Sequence, residues 1–279
     1  MSNVPAVPDA PSAAPVGLED FDPTTDMATP NLKIVHADAL FENTLTGRTF
    51  ATVEVVPLGV VASRVLFPAE MKDGESFFLC RSVDAKVGTP NMSEIGKFPW
   101  RDSGFARKDY LVEDEDGNEK PVVLDCDSCS LKEWGTHPKK DNAPWCNKVG
   151  TLILMLMDDE GNYMPALFQM KSSALRPLNN YTSSFFGAKK PLFVSTATLS
   201  LTPQKMGTNV YAVPKIVEGD PTDPALHDLF KATYLRIRAF LTTPRDVSVS
   251  VGSSGGDPVE TTATEATTTR TVEADEEPF

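Results

Sequence analysis

Apolar and polar positions in this chain alternate mostly in the manner of short strands. "TFATVEVVPLGVVASRVLF" (Thr49 to Phe67) is long and β-branched, and predicts one strand broken or bent near Pro57–Gly59. "ESFFLC" predicts a further strand reaching Cys80. "TLILMLM" and "YMPALFQMK", around the Asp/Gly/Asn turn "DDEGN", predict a hairpin. "PLFVSTATLSLTPQK" and "GTNVYAVPKIVE" predict a second one, joined around Met206–Asn209. Between the hairpins, "SSALRPLNNYTSSFFGA" predicts a helix or two short turns, interrupted near Pro177. A last helix is predicted from Pro224, after an Asp cap, with an apolar stripe of Leu226, Leu229, Phe230, Thr233, Ile237, Phe240 and Leu241.

Strands in hairpins with few helices predict a mainly β domain, and among small β barrels an OB-like barrel is the favoured form. The 279 residues suffice for one or two domains with a packed core, and no repeat recurs at a fixed period. No apolar run approaches 18 residues, so no transmembrane helix is expected. The first twenty residues lack the basic start and apolar stretch of a secretory signal, so the expected location is the cytoplasm.

Charge divides the chain into three. Residues 1–30 hold five acids and no Lys or Arg, in a Pro/Ala-rich composition that reads as a disordered arm. Residues 246–279 hold eight acids and one Arg, and read as a disordered Ser/Thr/Gly-rich tail. The net charge of −13 therefore resides almost entirely in the two ends. The body, 31–245, carries 26 acids against 25 basic residues. A near-neutral body leaves nucleic acid open as a partner.

Four cysteines without an export signal point to metal ligation rather than disulfides. "CDSCSLKEWGTHPKKDNAPWC" holds Cys126, Cys129 and Cys146, and its C-x-x-C turn spaces two sulfurs for one tetrahedral zinc. The fourth ligand is Cys80 or His137. Cys80 is preferred because it leaves no thiol unaccounted for, and because His137 precedes Pro138 in a Lys-rich loop. Four thiolates would make a closed, structural site rather than a catalytic one. Its binding energy, roughly 10–16 kcal/mol in zinc-finger peptides, would fix an insertion around 80–146 whose apolar pattern is weak.

From Gly161 to Val217 there is no Asp or Glu, while Lys171, Arg176, Lys189, Lys190, Lys205 and Lys215 are all positive. Basic side chains for phosphates interleaved with aromatic faces for bases are what single-strand binding requires. Phe168, Phe193 and Tyr211 are expected in the core. Tyr181, Phe185 and Phe186, beside Gly187 and the lysine pair, are expected to be partly exposed and available for stacking. Lys132, Trp134, Lys139 and Lys140 offer a second basic and aromatic patch in the cysteine loop.

The closing "EADEEPF" resembles the C-terminal tip of bacterial single-stranded DNA-binding proteins. The resemblance implies that Asp275, Glu276, Glu277, Pro278 and Phe279 dock on replication or repair proteins. A flexible tail of 34 residues has a reach of roughly 30 Å, which suits that use. The body is similar to bacteriophage single-stranded DNA-binding proteins with a zinc-binding insertion in an OB-like domain. The residues that carry this likeness are "LCRSVDAKVG" (Leu79 to Gly88), "CDSCSLKEW" (Cys126 to Trp134) and "PWC" (Pro144 to Cys146), followed by the two hairpins. The cellular relatives lack such a cysteine set, so their tetramer and DNA path do not carry over.

These features imply a non-enzymatic protein that coats single strands in phage replication, recombination or repair. An annealing protein and a zinc-ribbon adaptor that binds only protein are the alternatives. A nuclease is disfavoured, because the body has no H-x-x-x-H, no P-loop and no carboxylates at ligand spacing. "DEDG" (Asp114 to Gly117) reads as a turn.

Overall fold

β4 (Thr52–Leu66) is the strand around which the others are arranged. One edge pairs antiparallel with β10 (Cys146–Met157), from Leu66 opposite Cys146 to Val55 opposite Leu156. The other edge is divided. Thr52–Val55 pair with β12 (Ser195–Met206), and Arg64–Leu66 pair with β5 (Cys80–Ser82). The expected bend near Pro57–Gly59 takes the form of a bulge: Ile153 faces Gly59 and Leu154 faces Pro57, so Leu58 is the extra residue.

The computed structural model describes residues 29–70, 77–107, 111–113, 119–121, 123–140, 142–157, 162–206 and 209–243. Nearly all of the expected N-terminal arm, the acidic tail with Asp275 to Phe279, and "DEDG" lie outside the described residues. Among the described residues the protein is mainly β with a few helices, and the sheet is open. From β10 the sheet continues through β11 (Tyr163–Lys171), β1 (Asn31–Val35) and β2 (Leu40–Asn43) to β3 (Thr49–Phe50). The β1–β11 pair is parallel and the other ladders are antiparallel. Past β5 come β6 (Val87–Pro90) and β9 (Leu124–Asp125). β7 (Leu111–Glu113) and β8 (Glu119–Pro121) form a separate ribbon. None of the described helices is long and apolar enough to cross a membrane.

The unbroken apolar run of β10 follows from burial on both of its faces. Leu152, Leu154 and Leu156 enter one core with Leu32, Phe41, Val53, Val55, Phe168 and Leu199. β1 and β2, on one side of β10, thus share that core with β12, which pairs with the far edge of β4. Its lid is α2 (Leu175–Gly187), which buries Leu178, Tyr181 and Phe185 at helical spacing. The helix approaches β10 closely at Gly150, where an added Cβ would stand 2.7 Å from Leu178 Cδ2. Ile153 and Met155 face the opposite core, with Val56, Val61 and Leu167.

That second core is covered by α3 (His227–Thr242) through Phe230 and Ile237. The Asp223 carboxylate accepts the Ala225 N–H at 2.9 Å, the expected cap, and Pro224 opens a 3₁₀ turn ahead of the helix. The expected stripe needs one correction. Leu229 is 52% exposed, about 100° from Phe230 around the helix. Tyr234 packs inward instead, its ring occupying the space above Gly59.

β13 (Asn209–Pro221) pairs with β12 along its length, but β4 supports β12 only as far as Ser200. Beyond that point the hairpin is a two-stranded arm. The Ala212 N–H points out of the arm, donating to His36 Nδ1 at 3.1 Å. Ala212 stands opposite Pro203, and Pro214 opposite Leu201, so both prolines fall at outward-pointing positions with no donor to leave unpaired.

Candidate metal centre and nucleic-acid interface

The cysteines are gathered by three local structures. Leu66 of β4 stands between Cys146 on β10 and Cys80 on β5, so the two ladders place one thiol on each side of it. Cys126 follows β9, and its N–H donates to Lys86 O at 2.8 Å. The C-x-x-C turn is shaped by Asp125, whose carboxylate accepts the Asp127 N–H at 3.0 Å and the Ser128 hydroxyl. Those bonds, Ser128 first, hold the exposed carboxyl below the usual range. Asp84 shapes the facing β5–β6 turn in the same way. It accepts the Val87 and Lys86 N–H groups at 2.9 and 2.8 Å and the Ser82 hydroxyl at 3.0 Å.

All four thiols line one small cavity of about 20 Å³, with Arg64, Gly88 and Lys132, against Leu66, Phe98, Leu124 and Leu131. A Cβ on Gly88 would stand 3.1 Å from Cys80 Sγ and 3.4 Å from Cys126 Sγ, so a larger residue there would crowd the Cys80 sulfur by a few tenths of an ångström. Burial pushes every thiol up. For Cys80 the charges of Cys146, Cys126 and Cys129 add to burial, while Cys146 is pushed up to about 12 by burial and then by Cys129. Arg64 acts in the opposite sense on Cys126, Cys129 and Cys146.

As the side chains stand, no three His, Cys, Asp or Glu among the described residues form a ready-made ligand set. The sulfurs share a cavity without being drawn onto a common point. The donors nevertheless suit a thiophilic ion: four thiols, a glycine cradle, and cationic rather than anionic side chains among the lining residues. His137 is not among those lining residues. Its Nδ1 accepts the Lys139 and Lys140 N–H groups, each at 3.1 Å, and its ring centroid lies 6.3 Å from that of Trp145. The insertion also has an apolar cluster of its own, Leu66, Leu79, Phe98, Phe105, Leu124 and Leu131, which the sequence pattern did not indicate.

The expected nucleic-acid residues separate into groups. Tyr181 and Phe185 are 7% and 3% exposed, with ring centroids 5.0 Å apart in the core under α2. The expectation that they are open for stacking is corrected: their i, i+4 spacing turns both toward the sheet. Phe186, one residue on, is 87% exposed. It borders an open groove of about 420 Å³ with Val60, Thr182, Lys190 and Leu192. Lys189 closes the helix in the left-handed region, at φ 54°, and it and Lys190 are exposed.

Arg176, Lys171 and Lys205 are exposed on α2, β11 and β12. Lys171 acts electrostatically on His36, near the base of the arm. In the cysteine loop, Trp134 is 75% exposed and Lys140 is exposed, whereas Lys139 pairs with Glu70. Lys132 turns inward: it lines the thiol cavity and donates to Asp127 O. Phe168 is buried and Phe193 packs half-buried against the second core, as expected of core aromatics, whereas Tyr211 is half-buried on the arm outside the core clusters, its hydroxyl donating to Gln204 Oε1 at 3.0 Å. Arg64, Gly88 and His36 were not anticipated; only Arg64, a lone charge in "GVVASRVL", carried a signal. In comparisons with protein-family models, curated proteins and solved structures, nothing matches this chain.

Proposed function

We propose that this chain is a non-enzymatic single-stranded DNA-binding protein with a structural zinc site. The observation that carries the reading is Phe186, a large aromatic left exposed at the lip of an open groove beside Lys189 and Lys190. It lies within the acid-free stretch that builds β11, α2 and most of the β12–β13 hairpin. A cationic groove with an exposed ring suits a flexible strand whose bases are unstacked, and does not suit a duplex whose faces are hidden. An OB-like barrel is supported by the core that β1 and β2 share with β12 and by the His36–Ala212 bridge.

For zinc, the support is four thiols around one small cavity; Cys80, Cys126, Cys129 and Cys146 would hold the ion once drawn together. The metal would fix the insertion and leave no open position for chemistry. The acidic tip would recruit replication or recombination proteins in the cytoplasm, of the host if the chain is phage-encoded. Fluorescence titration with single- and double-stranded oligonucleotides tests the reading. Single strands should bind more tightly, with a log–log salt slope of about 3–4, a loss of about a hundredfold between roughly 50 and 200 mM salt. Equal affinity for duplex and single strand would remove the stacking groove from the account.

A further inference from the structure

Arg64 is the only charged residue between Gly59 and Leu66. Its position is set by two ladders, opposite Lys148 on β10 and Ser82 on β5. Side chains two apart on a strand share a face, so Arg64 projects on the side of Leu66, Cys146 and Cys80. There it lines the thiol cavity, and its Nε is buried without a hydrogen-bond partner. Lys132 lines the same cavity with its side chain 23% exposed, its ammonium donating to Asp127 O and standing 3.9 Å from the Glu133 carboxylate.

Such an arrangement is costly as long as the thiols are neutral. A guanidinium is partly desolvated, a second cation stands directly across the ladder at Lys148, and no carboxylate is among the cavity's lining residues. Ligation removes the difficulty. Four thiols that each release a proton and bind one divalent ion leave a centre of net charge −2, which Arg64 and Lys132 beside it offset, Lys132 being shared with Glu133. We propose that Arg64 and Lys132 supply the counter-charge of the cysteine centre, with Arg64 tying that centre to β4. The inference rests on the zinc reading above. Both residues are positioning groups that act through the thiolates.

The test uses the full chain loaded with zinc and challenged with excess chelator, release being followed with a zinc-responsive dye. Arg64→Met should release zinc about 10–100-fold faster than the parent protein, the usual effect of losing an outer partner of a ligand. Arg64→Lys, which keeps the charge, should recover much of that loss, and Lys132→Met should also speed release. In cobalt-loaded protein, Arg64→Met should move the thiolate-to-metal charge-transfer band to longer wavelength, because lone pairs without a nearby cation are easier to ionise. A purely structural arginine would not shift that band.

Unchanged release and an unchanged band in Arg64→Met would overturn the counter-charge role while leaving the zinc reading intact. A parent protein that takes up neither zinc nor cobalt would overturn both. If Arg64→Met does not fold, Lys132→Met, altered on a partly exposed turn, decides the question by the same release and spectral criteria.

Discussion

Gly59 shows how a single hydrogen atom can position a helix. The Tyr234 ring of α3 occupies the space where any other residue would carry its Cβ. Gly59→Ala should therefore push the ring off β4 and cost about 1–3 kcal/mol, read as a lower urea midpoint with an unchanged m-value. His36 illustrates a different kind of local control. Burial, and then the Lys171 charge, lower its pKa, and the bond from the Ala212 N–H requires an unprotonated Nδ1. A histidine depressed in the folded state contributes stability in full above its unfolded value of about 6.5, and loses it as pH falls through the lower folded value. Thermal melts should thus show a drop below about pH 6.5 that His36→Gln lacks. Parallel pH profiles for the two proteins would exclude the histidine as its source.

At the level of elements, α2 presents two faces with opposite demands. Tyr181 and Phe185 secure it to the core, while its C-terminal end offers Phe186 and the residues just beyond it, Lys189 and Lys190. Replacing both lysines by alanine should flatten the salt dependence of single-strand binding by about one unit. An unchanged slope would place the groove elsewhere. Lys189 also holds a left-handed conformation that glycine adopts without strain, so Lys189→Gly should weaken binding yet stabilise the fold by about 1 kcal/mol. The two effects separate contact from folding.

The long strands were legible in the sequence because β-branched runs have few other uses. The Pro57–Gly59 interruption was readable as a bend for the same reason. The phase of α2 was not legible from its composition. Proximity to glycine and lysine suggested exposure for all three aromatics, but only the helical period, once its start is fixed, distinguishes Phe185 from Phe186. Similarly, C-x-x-C pointed to the thiol cluster, whereas Arg64 joined it through strand register, which no local pattern encodes.

For the molecule as a whole, the decisive quantity is where charge lies. The tail over 246–279 carries eight acids and one arginine, a net of −7 attached to a body near neutrality. On the proposed reading, those charges would repel phosphate and compete with it for the same cations. Deleting residues 246–279 should raise single-strand affinity, most at low salt where screening is weakest. Because the deletion leaves the described sheet untouched, the melting curve should not change. If affinity is the same at every ionic strength, the tail is a solubilising segment only.

The arm formed by β12 and β13 has a consequence for behaviour in crowded conditions. If the chain coats single strands as proposed, many copies stand side by side, at local concentrations where any unsatisfied strand margin becomes a template for its neighbours. Pro203 and Pro214 take donors away from the two margins of this arm, and His36 occupies another at Ala212. On the proposed reading, neighbouring copies along a strand would lie side by side without their arms pairing. The prolines that shape the hairpin would then also keep a dense array from becoming an aggregate.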